Sequence, residues 1–177
     1  MTFSGPKIPH SHVEMKKIIC LITICFVIFL LLLSAQTGGI SISATGDWTE
    51  TIDAFDLVSG AGSDLIDTYE SIANATVLTI TAAGGGGGKP WRIDVKRTDS
   101  NWHTDFTLYV RRTSDGTGPG SISGGLSYIE IVTTDSSFFS GVDNRSGIDV
   151  QYELTGMSVS VPPAIYSTTV TYTVVKL

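Results

Sequence analysis

The chain of 177 residues is 42 % hydrophobic and carries a formal net charge of −6 at pH 7. An acidic surface argues against nucleic-acid binding, which needs clustered lysine and arginine side chains to replace counterions. The only cysteines, Cys20 and Cys25, lie inside one apolar run near the N-terminus, so the rest of the chain has neither a disulfide nor a thiolate.

That apolar run, Ile18–Leu33, is the first predicted element, and Thr23 is its only clearly polar residue. As a helix it would rise about 24 Å, which is less than the roughly 30 Å of a membrane's hydrocarbon core. A pair of lysines before the run and small residues after it complete the three parts of a secretory signal peptide. We predict that residues 1–35 are a leader with a signal helix, that Met15 is the true start, and that cleavage follows Ala35. An uncleaved N-terminal anchor is the alternative.

Residues 36–177 have a normal size for one domain and are expected to form a single secreted unit. Its first segment, Gln36–Ala44, alternates apolar and polar residues and is predicted to be a short strand. Trp48–Leu57 is interpreted as a second strand or as a folded loop. Asp64–Ile72 has apolar residues at helical spacing, which predicts one or two helical turns.

The remaining predicted elements are strands in which apolar and polar residues alternate. They are Ala75–Ala82, Trp91–Arg97, Phe106–Arg112, Tyr128–Thr133, Ile148–Leu154 and Thr169–Val175. Period-two alternation is typical of antiparallel sheets with one buried face. We predict an all-β fold, an antiparallel Ig-like or jelly-roll-type β-sandwich of about seven to nine strands. Its expected core residues are Ile93, Val95, Leu108, Val110, Val150, Tyr152, Val170 and Tyr172.

Two glycine-rich segments, Gly84–Gly88 and Thr113–Gly125, are predicted to be mobile loops because they bury little and lose much chain entropy. The first is followed by Lys89-Pro90, which lacks the serine or threonine and the helix of a phosphate-binding loop. His103 is the only histidine after the leader, and no nucleophile elbow of the type Gly-x-Ser-x-Gly is present. The chain is therefore predicted to be no enzyme and to have no catalytic residue.

Two weaker sets of candidate ligand residues remain. Four aspartates in an acidic segment could supply hard oxygen ligands to calcium, although the residue order of a calcium-binding EF-hand loop is missing. These candidates are Asp53, Asp56, Asp64 and Asp67. Two aromatic residues outside the predicted core, Trp102 and Tyr109, are candidates for stacking against a sugar. We predict no cofactor, with calcium as the alternative.

The C-terminal stretch Val159–Val175, VSVPPAIYSTTVTYTVV, places prolines and a Tyr-Ser pair before an alternating Thr/Val/Tyr strand. It resembles the last strand of bacterial surface and pilus-type β-sandwich modules, including fimbrial and spore-coat-U-like domains. The resemblance implies an extracellular structural or adhesive role and identifies no catalytic residue.

We expect a secreted, non-enzymatic structural or adhesive protein of a cell surface or matrix that assembles with itself. The alternative is an extracellular carbohydrate- or calcium-dependent binding module. Expected partners are further copies, through strand exchange, or surface glycans, with membrane contact only through the N-terminal segment. Gln36–Ala44 is expected to complete its own sandwich by burying Ile40, Ile42 and Ala44 against the Val170–Val174 strand, or else to add to a neighbouring subunit.

Overall fold

A computed structural model of the protein describes residues 39–82 and 87–177. These residues belong to one compact unit of the chain, Ala35–Leu177. The predicted signal helix and the first residues of the predicted N-terminal strand lie outside the described residues, as does most of the Gly84–Gly88 loop.

The described part of the chain contains ten strands and one short 3₁₀ helix, Ala54–Asp56. The strands are β1 (Ile40–Thr45), β2 (Thr68–Glu70), β3 (Thr76–Ala82), β4 (Pro90–Asn101), β5 (Thr107–Arg112), β6 (Ile122–Gly124), β7 (Ile129–Glu130), β8 (Ser136–Val142), β9 (Arg145–Thr155) and β10 (Ser167–Lys176). All pair antiparallel, in two sheets. One sheet has the order β1-β3-β9-β5-β7, with β2 also paired to β9, and the other has the order β10-β4-β8-β6.

The predicted all-β sandwich is therefore confirmed. Three of the ten strands, β2, β6 and β7, are only two or three residues long, which accounts for the excess over the expected seven to nine. The alternating segments do bury one face. Fully buried core positions include Ile93, Val95, Val110 and Val150. On β10, the expected core residues Val170 and Tyr172 are only half-buried, because an edge strand is covered by a neighbour on one side only, although Val174 on the same strand is buried.

Strand β8 has no counterpart among the predicted strands, because a bulge breaks its alternation. Phe139 pairs with Ile93, but the next paired position is Ser137 with Asp94, so Phe138 is an extra residue in β8. Both phenylalanines are consequently buried, with their ring centroids 4.8 Å apart. A sequence with two adjacent inward-facing residues does not show the period of two that identifies a strand.

The helical turns predicted over Asp64–Ile72 are wrong. Tyr69 lies in β2 and pairs with Leu154 on β9, so the backbone there is paired with a neighbouring strand and does not form a helical turn. Ile72, which would complete the apolar side of a helix, is 71 % exposed. For Trp48–Leu57 the folded-loop alternative is correct, since the only regular structure in it is the 3₁₀ helix.

The N-terminal strand β1 completes its own sandwich, but by a different pairing than expected. It pairs with β3 over six positions, from Ile40↔Ala82 to Thr45↔Val77, and not with β10. Strands β1 and β10 are edge strands of opposite sheets that lie next to each other on one side of the sandwich. Ile40 is buried, Ile42 is half-buried, and Ala44 is exposed, contrary to the expectation that all three are buried.

The Thr113–Gly125 segment is anchored to the sandwich, which differs from the predicted mobile loop. The guanidinium of the buried Arg112 donates to the carbonyls of Gly124 and Ser114 and pairs with the Asp115 carboxylate. Strand β6 lies within the segment and pairs with β8. A buried arginine needs this many acceptors to compensate the loss of its hydration, and it thereby fixes the chain around it.

The turn between β8 and β9 holds both strand ends that flank residues 83–86. The Asn144 side-chain oxygen accepts from the Ala82 N–H at 2.6 Å. The Asp143 carboxylate accepts from the N–H groups of Gly88 at 3.1 Å and Lys89 at 3.0 Å. These two N–H groups, that of Lys89 first, lower the pKa of Asp143. Asp143 has a φ of 61°, in the left-handed region that aspartate and asparagine tolerate better than most residues.

Candidate functional site

The end of the sandwich opposite Gly39 and Leu177 is covered by two irregular segments. Residues 53–67 precede β2, and residues 156–166 connect β9 to β10. We call these two segments together the hairpin pole. The antiparallel register places it there, because β1 ends, β3 begins and β9 ends on that side of the sheets.

Backbone hydrogen bonds fold the first segment into an irregular hairpin. The Val58 N–H donates to the Asp64 carbonyl at 2.9 Å, and the Ile66 N–H donates to the Asp56 carbonyl at 2.8 Å. The Gly60–Ser63 turn closes the hairpin, and the Ser63 hydroxyl donates to the Gly60 carbonyl at 2.8 Å. This local bonding gives a segment without long strands a defined shape.

The four aspartates proposed as calcium ligands are the residues that hold these loops together. Asp53 and Asp56 form a capping box, in which the Asp53 carboxylate accepts from the Phe55 N–H and the Asp56 carboxylate accepts from the Asp53 N–H. Asp64 accepts from the Val159 N–H at 2.9 Å, and Asp67 accepts from the Gly156 N–H at 3.2 Å. Asp64 and Asp67 therefore join the two segments of the pole.

Within residues 39–82 and 87–177, no three His, Cys, Asp or Glu side chains come together as they would around a metal ion. The structure brings Asp53 and Asp56 together across the 3₁₀ helix but does not gather all four aspartates into one site. The backbone N–H groups of Val159 and Leu65 lower the pKa of Asp64, as expected for a carboxylate that acts as a cap.

Several large apolar side chains of the hairpin pole face solvent, which the sequence patterns did not indicate. They are Phe55, Val58, Ile66, Val159 and Ile165, and Phe55 is 96 % and Ile165 89 % exposed. Their signal in the sequence is weak, since each is a single apolar residue in a segment rich in Ser, Gly, Asp and Pro. Single exposed apolar residues are normal, but a group of them on one end of a domain indicates a binding surface.

The charges carried by the two segments of the pole have one sign. The sequence from residue 36 to residue 88 contains no Lys, Arg or His but contains seven acidic residues, and residues 156–166 contain no charged residue. Tyr69 lies beside this acidic group and is 9 % exposed. Burial, and then the negative charges of Asp56, Glu50 and Asp53, raise the pKa of Tyr69 to about 12.

The two aromatic ligand candidates lie on different elements. Trp102 follows β4 and packs edge-on against Phe106 with centroids 5.6 Å apart, while its indole N–H donates to the Phe106 carbonyl. The Arg97 guanidinium covers the Trp102 ring at 5.1 Å. Tyr109 lies in β5, paired with Glu130, on the opposite phase to the buried Leu108. No ring contact joins Trp102 to Tyr109 within the described residues.

Comparison with known proteins provides no site that could be transferred to this chain. No protein family matches it, and neither the curated proteins nor the solved structures include a match. Among the residues that the structure describes, no helix is long and apolar enough to cross a membrane.

Proposed function

We propose that the chain is a secreted, non-enzymatic structural or adhesive protein of a cell surface or extracellular matrix, and that its copies associate through their sheet edges. The observation that carries this proposal is the edge strand β10. It is ten residues long, pairs with β4 on one side, and has no charged residue from Ser167 to Val175.

An edge of this kind favours pairing with another strand, because its outer N–H and C=O groups have no ladder partner within the described residues. Natural edge strands are usually shortened or protected by charges and prolines. In β10 the only charge is Lys176, at its end, and Thr and Val, which favour strands, dominate the sequence.

The lengths of the edge strands favour contact between the same side of two copies. Strand β1 is uncharged and lies next to β10, so both sheets end in longer edges on the same side of the sandwich. The edges opposite are formed by β7 and β6, with two and three residues. Two copies that meet through their β1/β10 sides would extend both sheets, which gives a twofold dimer.

The proposal that the protein is delivered outside the cell rests on the apolar run Ile18–Leu33, and the intact mass of the exported protein tests it.

Sedimentation of the exported protein over a range of concentrations tests the association. Wild type is expected to dimerise as its concentration rises. The variant Thr169→Lys/Thr173→Lys, with two charges on β10, is expected to remain monomeric. The matched control is Thr81→Lys/Ser137→Lys, which adds the same charge at exposed positions of the interior strands β3 and β8, and it should still dimerise.

A wild type that is monomeric at every concentration, or two variants that behave alike, would contradict the edge association. Binding of the monomer to glycans on an array, especially binding that needs calcium, would instead favour the carbohydrate- or calcium-dependent binding module.

A further inference from the structure

We propose that the hairpin pole is a docking surface for a basic segment of another protein, one that combines Lys or Arg with apolar side chains. This goes beyond edge association, since the pole consists of loops at one end of the sandwich and contains neither β10 nor β1.

The exposed apolar side chains are held in place by ordered backbone. Phe55 lies in the middle of the 3₁₀ helix, and the Asp53 carboxylate accepts from its N–H at 2.8 Å. The Asp56 carboxylate accepts from the Asp53 N–H at 2.8 Å and closes the capping box. Because the backbone on both sides of Phe55 is bonded, the Cα atom that carries this 96 % exposed side chain is held in place. A partner that covers the side chain therefore does not have to order the backbone as well.

Asp64 connects the two segments that carry the apolar side chains. Its carbonyl accepts from Val58 and its carboxylate accepts from Val159, both at 2.9 Å. Val58 and Val159 thus lie on either side of one residue although they are far apart in sequence. The hydrogen bond from Ile66 to the Asp56 carbonyl adds Ile66 next to the 3₁₀ helix.

The charge of the surface selects a cationic partner. The ion pairs of Lys and Arg within the described residues use carboxylates elsewhere on the sandwich, namely Asp94, Asp99, Asp115 and Asp135. The carboxylates of the pole accept backbone N–H groups, which leaves their negative charge unopposed by a nearby cation. Unopposed charge around an apolar centre attracts a partner of opposite sign and fixes its orientation.

Other occupants fit less well. The aspartates of the pole are not gathered as metal ligands among the described residues. An anionic lipid surface would be repelled by the same carboxylates. A second copy would have to offer cations, and four of its eight Lys and Arg residues after residue 35 are already paired with carboxylates of their own chain, namely Arg92, Lys96, Arg97 and Arg112. A basic, partly apolar protein segment satisfies both properties of the surface.

Binding of labelled 15-residue peptides to the exported protein tests the proposal by fluorescence anisotropy at low salt. The probes are a Lys/Leu peptide, a Glu/Leu peptide and a Lys/Ser peptide. The Lys/Leu peptide is expected to bind at least tenfold more tightly than either of the others. Phe55→Ser should weaken this binding at least tenfold, and Glu50→Gln should weaken it several-fold and reduce its salt dependence.

Phe55 is exposed, so its replacement leaves the fold intact, and thermal unfolding verifies this. The matched control is Leu126→Ser, which removes an apolar side chain of 62 % exposure outside the pole and should bind as wild type does. Equal effects of Phe55→Ser and Leu126→Ser, or equal affinity for the Lys/Ser peptide, would show only general attraction to an acidic protein and would overturn the proposal. Loss of self-association in Phe55→Ser would instead identify a second copy as the occupant.

Discussion

A chain of three buried hydroxyl groups connects the two sheets and offers a sharp test of the fold. The Thr76 hydroxyl on β3 lies 2.8 Å from the Tyr152 hydroxyl on β9, which lies 2.9 Å from the Tyr172 hydroxyl on β10. Trp48 stacks on the Tyr152 ring, with centroids 6.4 Å apart and nearly parallel planes. The Tyr152 hydroxyl, in the middle of these three hydroxyls, has two hydrogen-bond partners, and the Tyr172 hydroxyl has one.

This difference predicts unequal effects of the same chemical change. Tyr152→Phe removes two hydrogen bonds and leaves the hydroxyls of Thr76 and Tyr172 without their partner. A net hydrogen bond contributes about 0.5–1.5 kcal/mol, and a buried group left unpaired costs about 1–3 kcal/mol. We therefore expect Tyr152→Phe to lower the free energy of unfolding by about 2–4 kcal/mol. Tyr172→Phe leaves Tyr152 bonded to Thr76 and should cost about 1 kcal/mol.

Urea unfolding followed by tryptophan fluorescence measures both variants, and the slope of the transition should not change. The double variant completes a cycle in which the second replacement costs less than it does alone, since the shared hydrogen bond is already lost. Equal costs for Tyr152→Phe and Tyr172→Phe, or strictly additive costs, would show that the three hydroxyls are not connected by hydrogen bonds.

Three further predictions concern the core, the pH dependence and the glycine-rich loop. Leu108→Ala should cost about 2–5 kcal/mol of unfolding free energy, while Thr107→Ala on the opposite phase of β5 should cost less than about 1 kcal/mol, and equal midpoints in urea would contradict this. Burial is the main reason that the pKa values of Tyr69 and Tyr128 are raised to about 12. The stability that these two tyrosines contribute is complete below about pH 10, the pKa of tyrosine in the unfolded chain, and is lost as the pH rises towards 12. Urea midpoints from pH 8 to 11.5 should therefore fall above about pH 10, and a flat profile would disprove it. Shortening Gly84–Gly88 from five glycines to two should change the free energy of unfolding by less than about 1 kcal/mol in the same assay, and a larger loss would mean that the loop packs on the fold.

The strands with one buried face could be predicted from the sequence, because burial imposes a period of two on the side chains. Ile93, Val110 and Val150 lie where the alternation places them. Strand β8 could not be predicted, since its bulge depends on pairing with β4, which is distant in the sequence. The helical turn predicted at Tyr69 is wrong because apolar residues three or four positions apart also occur by chance in a short strand and its flanking loops.

The candidate site was predicted only in part. The acidic residues were visible in the sequence, but their role was not, since the same aspartate can bind a cation or cap a backbone N–H. The acceptor role of Asp64 depends on Val159, which the fold brings to it. The exposure of Phe55 could not be predicted either, because the sequence does not show whether an apolar residue between turn residues is buried in the core or exposed.

The turn that holds Ala82, Gly88 and Lys89 through Asn144 and Asp143 has a practical consequence. The two strand ends are held by Asp143 and Asn144 in the turn between β8 and β9. A foreign peptide grafted in place of residues 83–86 would therefore leave the sandwich intact and be displayed beside Leu177, at the end opposite the hairpin pole. One molecule could then carry an epitope or an enzyme tag on one end while its other end remains available to a partner.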